Sequence, residues 1–376
     1  MLSDTLSSLF SRNSRLSING KCVGETFKSV ILTGTLELSE NSSSSSIVHK
    51  NEAKAIEIVA QYAIYSVAVL VDGKHIVSGG QEGKIRHWRA EDGKEVESPM
   101  DARSVVNSMA VSRNGKWIVS GTDSGELTVW NAETHQKVTE WQGHSCWVFA
   151  VDISPDGKKV ATGSGDKTAR VWSLSTGQRL LAPLKHNSNV VVVKFSPDGR
   201  LIATAMWGRD SVRVYDSWDG RLLLDVPITI VVDTYNQSLV WVGNSKNIFA
   251  LSLDGNINYL DVSTGTTVSS WPIHGSNQPG CIALASNGTF IAASAGSSVS
   301  LWDTITHKQI GSVINHTGYI MSMAISANYD LVIGGGKAIT VRNISDVHPS
   351  PDYKDVSTVT LKNCCAGFVP NDKPRC

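Results

Sequence analysis

Gly143-His144-Ser145-Cys146-Trp147-Val148-Phe149-Ala150-Val151-Asp152-Ile153-Ser154-Pro155-Asp156-Gly157, continued by Val160-Ala161-Thr162-Gly163 and Asp166-Lys167-Thr168-Ala169-Arg170-Val171-Trp172, is the stretch that decides the fold. It contains three short apolar or alternating runs, Val148 to Ile153, Val160 to Thr162 and Ala169 to Trp172, separated by turn formers such as Pro155-Asp156-Gly157. A fourth run, Arg179 to Leu184, follows Ser175-Thr176-Gly177. Four short antiparallel strands in about forty residues have the length and pattern of a propeller blade.

Working outward, the residue expected to end the third strand of each unit is Trp88, Trp130, Trp172, Tyr215, Leu260, Trp302 and Arg342, at spacings of 42, 42, 43, 45, 42 and 40. A long, regular period predicts a solenoid or a propeller, and units of four short strands with two apolar faces favour a ring of seven blades. Second strands read Ile76-Val77-Ser78-Gly79, Ile118-Val119-Ser120-Gly121 and Val160-Ala161-Thr162-Gly163, with small residues where a crowded centre needs them. Asp72-Gly73, Asn114-Gly115, Asp156-Gly157, Asp198-Gly199 and Asn287-Gly288 mark hairpins between first and second strands. The fifth and seventh units lack that pair, and the fifth, Ser238 to Ile273, is the most degenerate. Two segments compete to close the ring: Lys54 to Val59, which would complete the last blade and tie the termini together, and Val356 to Leu361.

Three regions are expected: a Ser-rich, largely disordered segment 1–50, an all-β, seven-bladed propeller over 51–347, and an irregular tail 348–376. Within the first, Phe27 to Leu38 has strand-like residues. Lys+Arg and Asp+Glu both number 34, so no charge excess points to nucleic acid or a membrane surface. The start lacks a basic stretch followed by an apolar core, and no run approaches the roughly eighteen apolar residues of a membrane span. Cysteines at 22, 146, 281, 364, 365 and 376 show no Cys-x-x-Cys spacing, which suits reduced thiols. A cytoplasmic or nuclear protein is expected.

The repeats resemble the WD40 family, in which Gly-His opens a unit and Trp-Asp closes its third strand. Gly143-His144 and Trp302-Asp303 are literal matches; Trp130-Asn131, Trp172-Ser173 and Tyr215-Asp216 are near ones, and the resemblance covers residues 54 to 345. The third unit looks most similar to the repeats of large fungal WD40 arrays. The resemblance implies a buried structural tetrad of His144, Thr162, Asp166 and Trp172, whose polar groups each need a partner. His186 and His316 occupy the matching place in their units, whereas the first two units have Ala60 and Ala102.

Other chemistry finds little support. No Gly-x-Ser-x-Gly elbow accompanies His144 and Asp166, and no Gly-Lys pair is followed by Ser or Thr at a helix start. No His-Glu-x-x-His or dinucleotide glycine pattern occurs. The chain is therefore expected to have no catalytic residues, cofactor or metal. It reads as a monomeric propeller that binds protein or peptide partners within a larger complex, and not nucleic acid or membrane. The loops entering first strands and those between second and third strands open on one side in this family, which would gather Arg103, Trp147, Asn189, Trp207, Arg209 and Tyr319 around the central channel. Trp, Tyr and Arg often anchor partners because they bury much area with few rotors. The alternative is an enzyme, or a small-ligand or carbohydrate-binding propeller, using the central channel.

Overall fold

The structure, a computed structural model, describes residues 55–207, 212–227, 238–252, 254–273 and 279–345. The stretch Phe27 to Leu38, the closing candidate Val356 to Leu361 and Arg209 lie outside them. Seven four-stranded antiparallel sheets form the blades of a β-propeller. Blade 3 shows the plan: Val148–Ile153, Lys159–Ser164, Thr168–Ser173 and Leu184–Lys185, hydrogen-bonded in that order. Blade 7 consists of Ile320–Ile325, Asp330–Gly335 and Ala338–Asn343, and its outer strand is Ile56–Val59 from the other end of the ring. Pairing runs from Ile56↔Val341 to Val59↔Ala338, so the first of the described strands locks the last blade.

The strands differ from the sequence expectations in two respects. Each ruler residue stands one position before the end of its third strand, because the ladder takes one more pair, as in Lys159↔Ser173. The run from Arg179 to Leu184 is not one strand. Arg179 bridges Trp172, Leu180 donates to the Val171 carbonyl at 2.8 Å, and pairing resumes only at Leu184–Lys185. Between them lies Pro183, which has no N–H to give a ladder.

All seven turns between first and second strands share one geometry. Gly73, Gly115, Gly157, Gly199 and Gly288 have φ between 65° and 74°, each with its N–H bonded to the carbonyl three residues back. Blades 5 and 7 make the same turn with Ser245 at φ 57° and Tyr329 at φ 62°. In blade 5 Asn244 supplies part of the missing preference, its Oδ1 accepting the Lys246 N–H at 2.9 Å.

The core is seven apolar wedges, one between each pair of neighbouring blades. Second-strand glycines allow the close approach. A Cβ on Gly121 would stand 2.5 Å from Val148 Cγ1 of the next blade, and one on Gly163 2.8 Å from both Val190 Cγ1 and the Val190 carbonyl oxygen. Polar latches add direction: Ser66, Ser108 and Ser322 Oγ accept the N–H groups of Met109, Val151 and Val67 in the next blade at 3.0, 3.1 and 3.1 Å. Blade 3 has Ala150 there, and Asp152 Oδ2 takes over by accepting the Phe195 N–H at 2.7 Å.

Candidate functional site

In blade 3 the four polar residues form one hydrogen-bonded chain. Trp172 Nε1, which can only donate, gives its hydrogen to Thr162 Oγ1 at 2.9 Å. Thr162 Oγ1 is 2.7 Å from His144 Nε2, and His144 Nδ1 is 2.9 Å from Asp166 Oδ2. The donors order the chain: indole to hydroxyl, hydroxyl to Nε2, and Nδ1–H to the carboxylate. Burial pushes the His144 pKa down despite the Asp166 partner, which keeps the ring neutral and the tautomer consistent. Burial pushes the Asp166 carboxyl up, but hydrogen bonds from His144 and Thr168 and the nearby Arg170 outweigh it and hold it well below the carboxylate range. Arg170 Nη2 lies 3.0 Å from Asp166 Oδ2, and Nη1 donates to the Gly143 carbonyl at 2.7 Å. Every member is thus committed to another, as a structural link requires.

Other blades carry partial copies. Trp88 donates to Ser78 Oγ at 2.7 Å and Trp130 to Ser120 Oγ at 2.9 Å. In blade 4, His186 Nε2 lies 3.0 Å from Thr204 Oγ1 and 3.2 Å from the Tyr215 hydroxyl. In blade 7, His316 bonds Thr340 Oγ1 at 2.8 Å and the Gly335 carbonyl at 3.1 Å.

The rim at the start of the first strands carries the remaining candidates that are among the described residues. Because Val148 pairs with Ser164, the loop entering a first strand and the loop leaving a second strand lie at the same end of a blade. Backbone bonds tie the two loops together: Gln81, Asp123, Gly165 and Trp207 N–H donate to the carbonyls of Ala63, Val105, Trp147 and Asn189. Trp147 and Asn189 therefore hold one repeated position, and Trp207 sits against Asn189. Trp147 is 45% exposed with its edge to Phe149, and Trp207 is 38% exposed. Tyr319 and Asn189 are half-buried, and Arg103 is exposed at φ 63° with its N–H bonded to Asp101 Oδ1. Arg103 follows Ala102 as Ser145 follows His144, so it stands at a different place in the repeat from Trp147 and Asn189.

Tyr62, 40% exposed on the same rim, was not singled out by the repeat. It corresponds to Cys146 in blade 3, and only a blade-by-blade alignment of the loops reveals it. Trp218, the most exposed tryptophan at 83%, follows a third strand and so lies on the opposite face, where Lys159 Nζ sits 5.7 Å from its ring.

A cavity of about 10 Å³, lined by Ser66, Asn107, Ser108, Phe149, Lys194 and Ser322 among others, could hold one water. Near it, Lys194 Nζ lies 3.6 Å from Asp152 Oδ1. Elsewhere, His87 lies between His75 and His135, with ring centroids 4.9 Å from each, and burial together with those neighbours lowers its pKa to about 4. Burial also lowers His186 to about 4. Among the described residues, no three His, Cys, Asp or Glu side chains are grouped to hold a metal.

Comparison with known proteins fits this geometry. The WD40 family model, described as WD domain, G-beta repeat, matches residues 57–89, 97–131, 135–173, 178–216 and 265–303. The human kinesin-like protein KIF21A is 28% identical over 154 residues, which is 36% of this chain and 9% of that protein. The chain thus corresponds to under a tenth of that relative's length.

Proposed function

Because the chain carries WD40 repeats on a seven-bladed propeller, we propose that it is a non-catalytic platform that binds protein or peptide partners through its loop rim, within a larger assembly in the cytoplasm or nucleus. The observation that carries this reading is the exposure of Trp147 and Trp207 on that rim, while the tryptophans of the blades, such as Trp88, Trp130 and Trp172, are buried. Large rigid rings held partly in water by a stiff scaffold make inexpensive anchors, since little side-chain entropy is lost when a partner covers them. The His144 chain supports a scaffold rather than a hydrolase: its histidine is buried and neutral, and the Thr162 hydroxyl beside it is buried and engaged by both His144 and the Trp172 indole. Arg103, Asn189, Arg209 and Tyr319 are proposed to complete the contact surface. Likeness of the third repeat to those of fungal arrays is likewise a proposal, and no activity is carried over from the kinesin-like relative.

The test is affinity purification with wild type, a Trp147→Ala/Trp207→Ala double variant and Trp218→Ala on the opposite face. Partners shared by wild type and Trp218→Ala should be lost from the double variant, while its melting temperature stays unchanged. Recovery of the same partners by all three would refute the rim as the binding face.

A further inference from the structure

One place in the repeat plan lacks the side chain that blade 3 has there, while keeping the groups that would hold it. The N–H groups of Ala60, Ala102, His144, His186 and His316 each bond a carbonyl in the second-to-third-strand turn of the preceding blade. These residues are therefore structurally equivalent, and Ala60 stands where blade 3 has its imidazole. Around Ala60, the rest of the tetrad persists. Ser78, paired with Arg86 as Thr162 is with Arg170, accepts the Trp88 indole at 2.7 Å. Glu82 takes the part of Asp166, accepting from Arg86 Nη2 at 2.6 Å as Asp166 does from Arg170 Nη2 at 3.0 Å. In place of the ring is an open cleft of about 310 Å³, lined by Ala60, Tyr62, Ser78, Glu82, Arg86 and Trp88 among others. In blade 2, by contrast, Ala102 is buried.

The lining selects for a particular chemistry. Arg86 donates to both Glu82 oxygens and, through Nη1, to both Glu95 oxygens at 2.8 Å, and Lys84 Nζ lies 3.6 Å from Glu82. Two carboxylates and two cations cancel, so no net charge draws an ion. What is left is the Ser78 hydroxyl, which accepts the indole N–H and keeps its own hydrogen to give, and the Glu82 carboxylate, with a lone pair beyond those its cations use, both lining the cleft with the Trp88 indole. A neutral ring with one acceptor nitrogen and one N–H fits both, as His144 fits between Thr162 and Asp166.

We propose that this cleft is a second recognition site, which receives a histidine side chain from a partner polypeptide and so completes the tetrad of blade 1 in trans. It rests on the peptide-binding reading of the rim, onto which the cleft opens beside Tyr62. Its volume exceeds that of the ring alone and accommodates the flanking backbone of a peptide.

The probe is N-acetyl-histidine-methylamide, titrated into the full chain at pH 7.5 while the Trp88 indole N–H is followed by NMR. A saturable shift with a dissociation constant on the order of millimolar is expected for a ligand of this size. Ala60→His should fill the slot from within, raise the melting temperature and weaken the probe at least tenfold. Glu82→Gln, a conservative change independent of Ala60, should weaken it several-fold. The Trp147→Ala/Trp207→Ala variant should leave the probe's affinity intact, so failure of the cleft and failure of the rim can be told apart. Absence of a saturable shift, equal binding of N-acetyl-phenylalanine-methylamide, or unchanged affinity in both cleft variants would overturn the proposal.

Discussion

Replacing His144 by Ala isolates the value of the polar chain in blade 3. The ring is 2% exposed and makes two bonds, one with the neutral Thr162 hydroxyl and one to the ionised Asp166. The first contributes about 1 kcal/mol and the second about 1.5–3 kcal/mol. Neither partner is orphaned by the change, because Thr162 keeps the Trp172 indole and Asp166 keeps Arg170 and Thr168. Water can enter the vacated space past exposed Ser145, which returns part of the loss. The net cost should be about 2–4 kcal/mol, read as a lower urea midpoint at unchanged slope. His316→Ala removes bonds to a neutral hydroxyl and a neutral carbonyl and should cost about 1–2 kcal/mol. Hydrogen exchange adds a local reading: the Val160 to Gly163 amides should lose protection first in His144→Ala, and in wild type blade 3 should be the best protected and blade 5 the least. A loss under about 1 kcal/mol, or equal losses for the two histidines, would refute the reasoning.

Acid should weaken the fold over the range in which its buried histidines would take up protons on unfolding. His87 and His186 have folded pKa values near 4 against about 6.5 unfolded, so the unfolded chain binds protons first. Stability should be level above pH 6.5 and fall by about 2–4 kcal/mol in all between pH 6.5 and 4, after allowance for partial solvent screening; a urea midpoint that stays flat over that window would sink the assignment. Gly163→Ala should cost about 1–3 kcal/mol, since its Cβ would meet the Val190 side chain and carbonyl at 2.8 Å. A melting temperature equal to wild type would mean that blades 3 and 4 can separate at no cost.

How much of this was legible in the sequence depends on what each residue must satisfy. Buried polar groups demand partners, so His144, Thr162, Asp166 and Trp172 stand together in blade 3 at spacings that the letters of the other units repeat in part. Turn glycines are also readable, but the need behind them is left-handed backbone, and Ser245 and Tyr329 meet it at a cost of about 1 kcal/mol. The strand Ile56–Val59 was one of two candidates, because a closing strand needs only a free edge and an apolar face, which many segments offer. The extra pair ending each third strand could not be read, since ladders extend by backbone bonds that carry no side-chain mark. Exposure of Trp147 and Trp207 was equally hidden: the same letter stands buried in third strands and exposed on the rim.

The slot at Ala60 shows why the informative positions are those where one blade departs from another. A repeat makes the local environment nearly the same seven times, so a change at one residue leaves its former partners in place to report it. Ser78, Glu82 and Trp88 make bonds like those of their counterparts in blade 3, although Ala60 supplies no imidazole between them. Their arrangement is held by Arg86 bridging Glu82 and Glu95 instead of by an imidazole. That second support makes a preorganised empty site physically stable, and a preorganised site binds its missing part without the ordering cost that would otherwise weaken it.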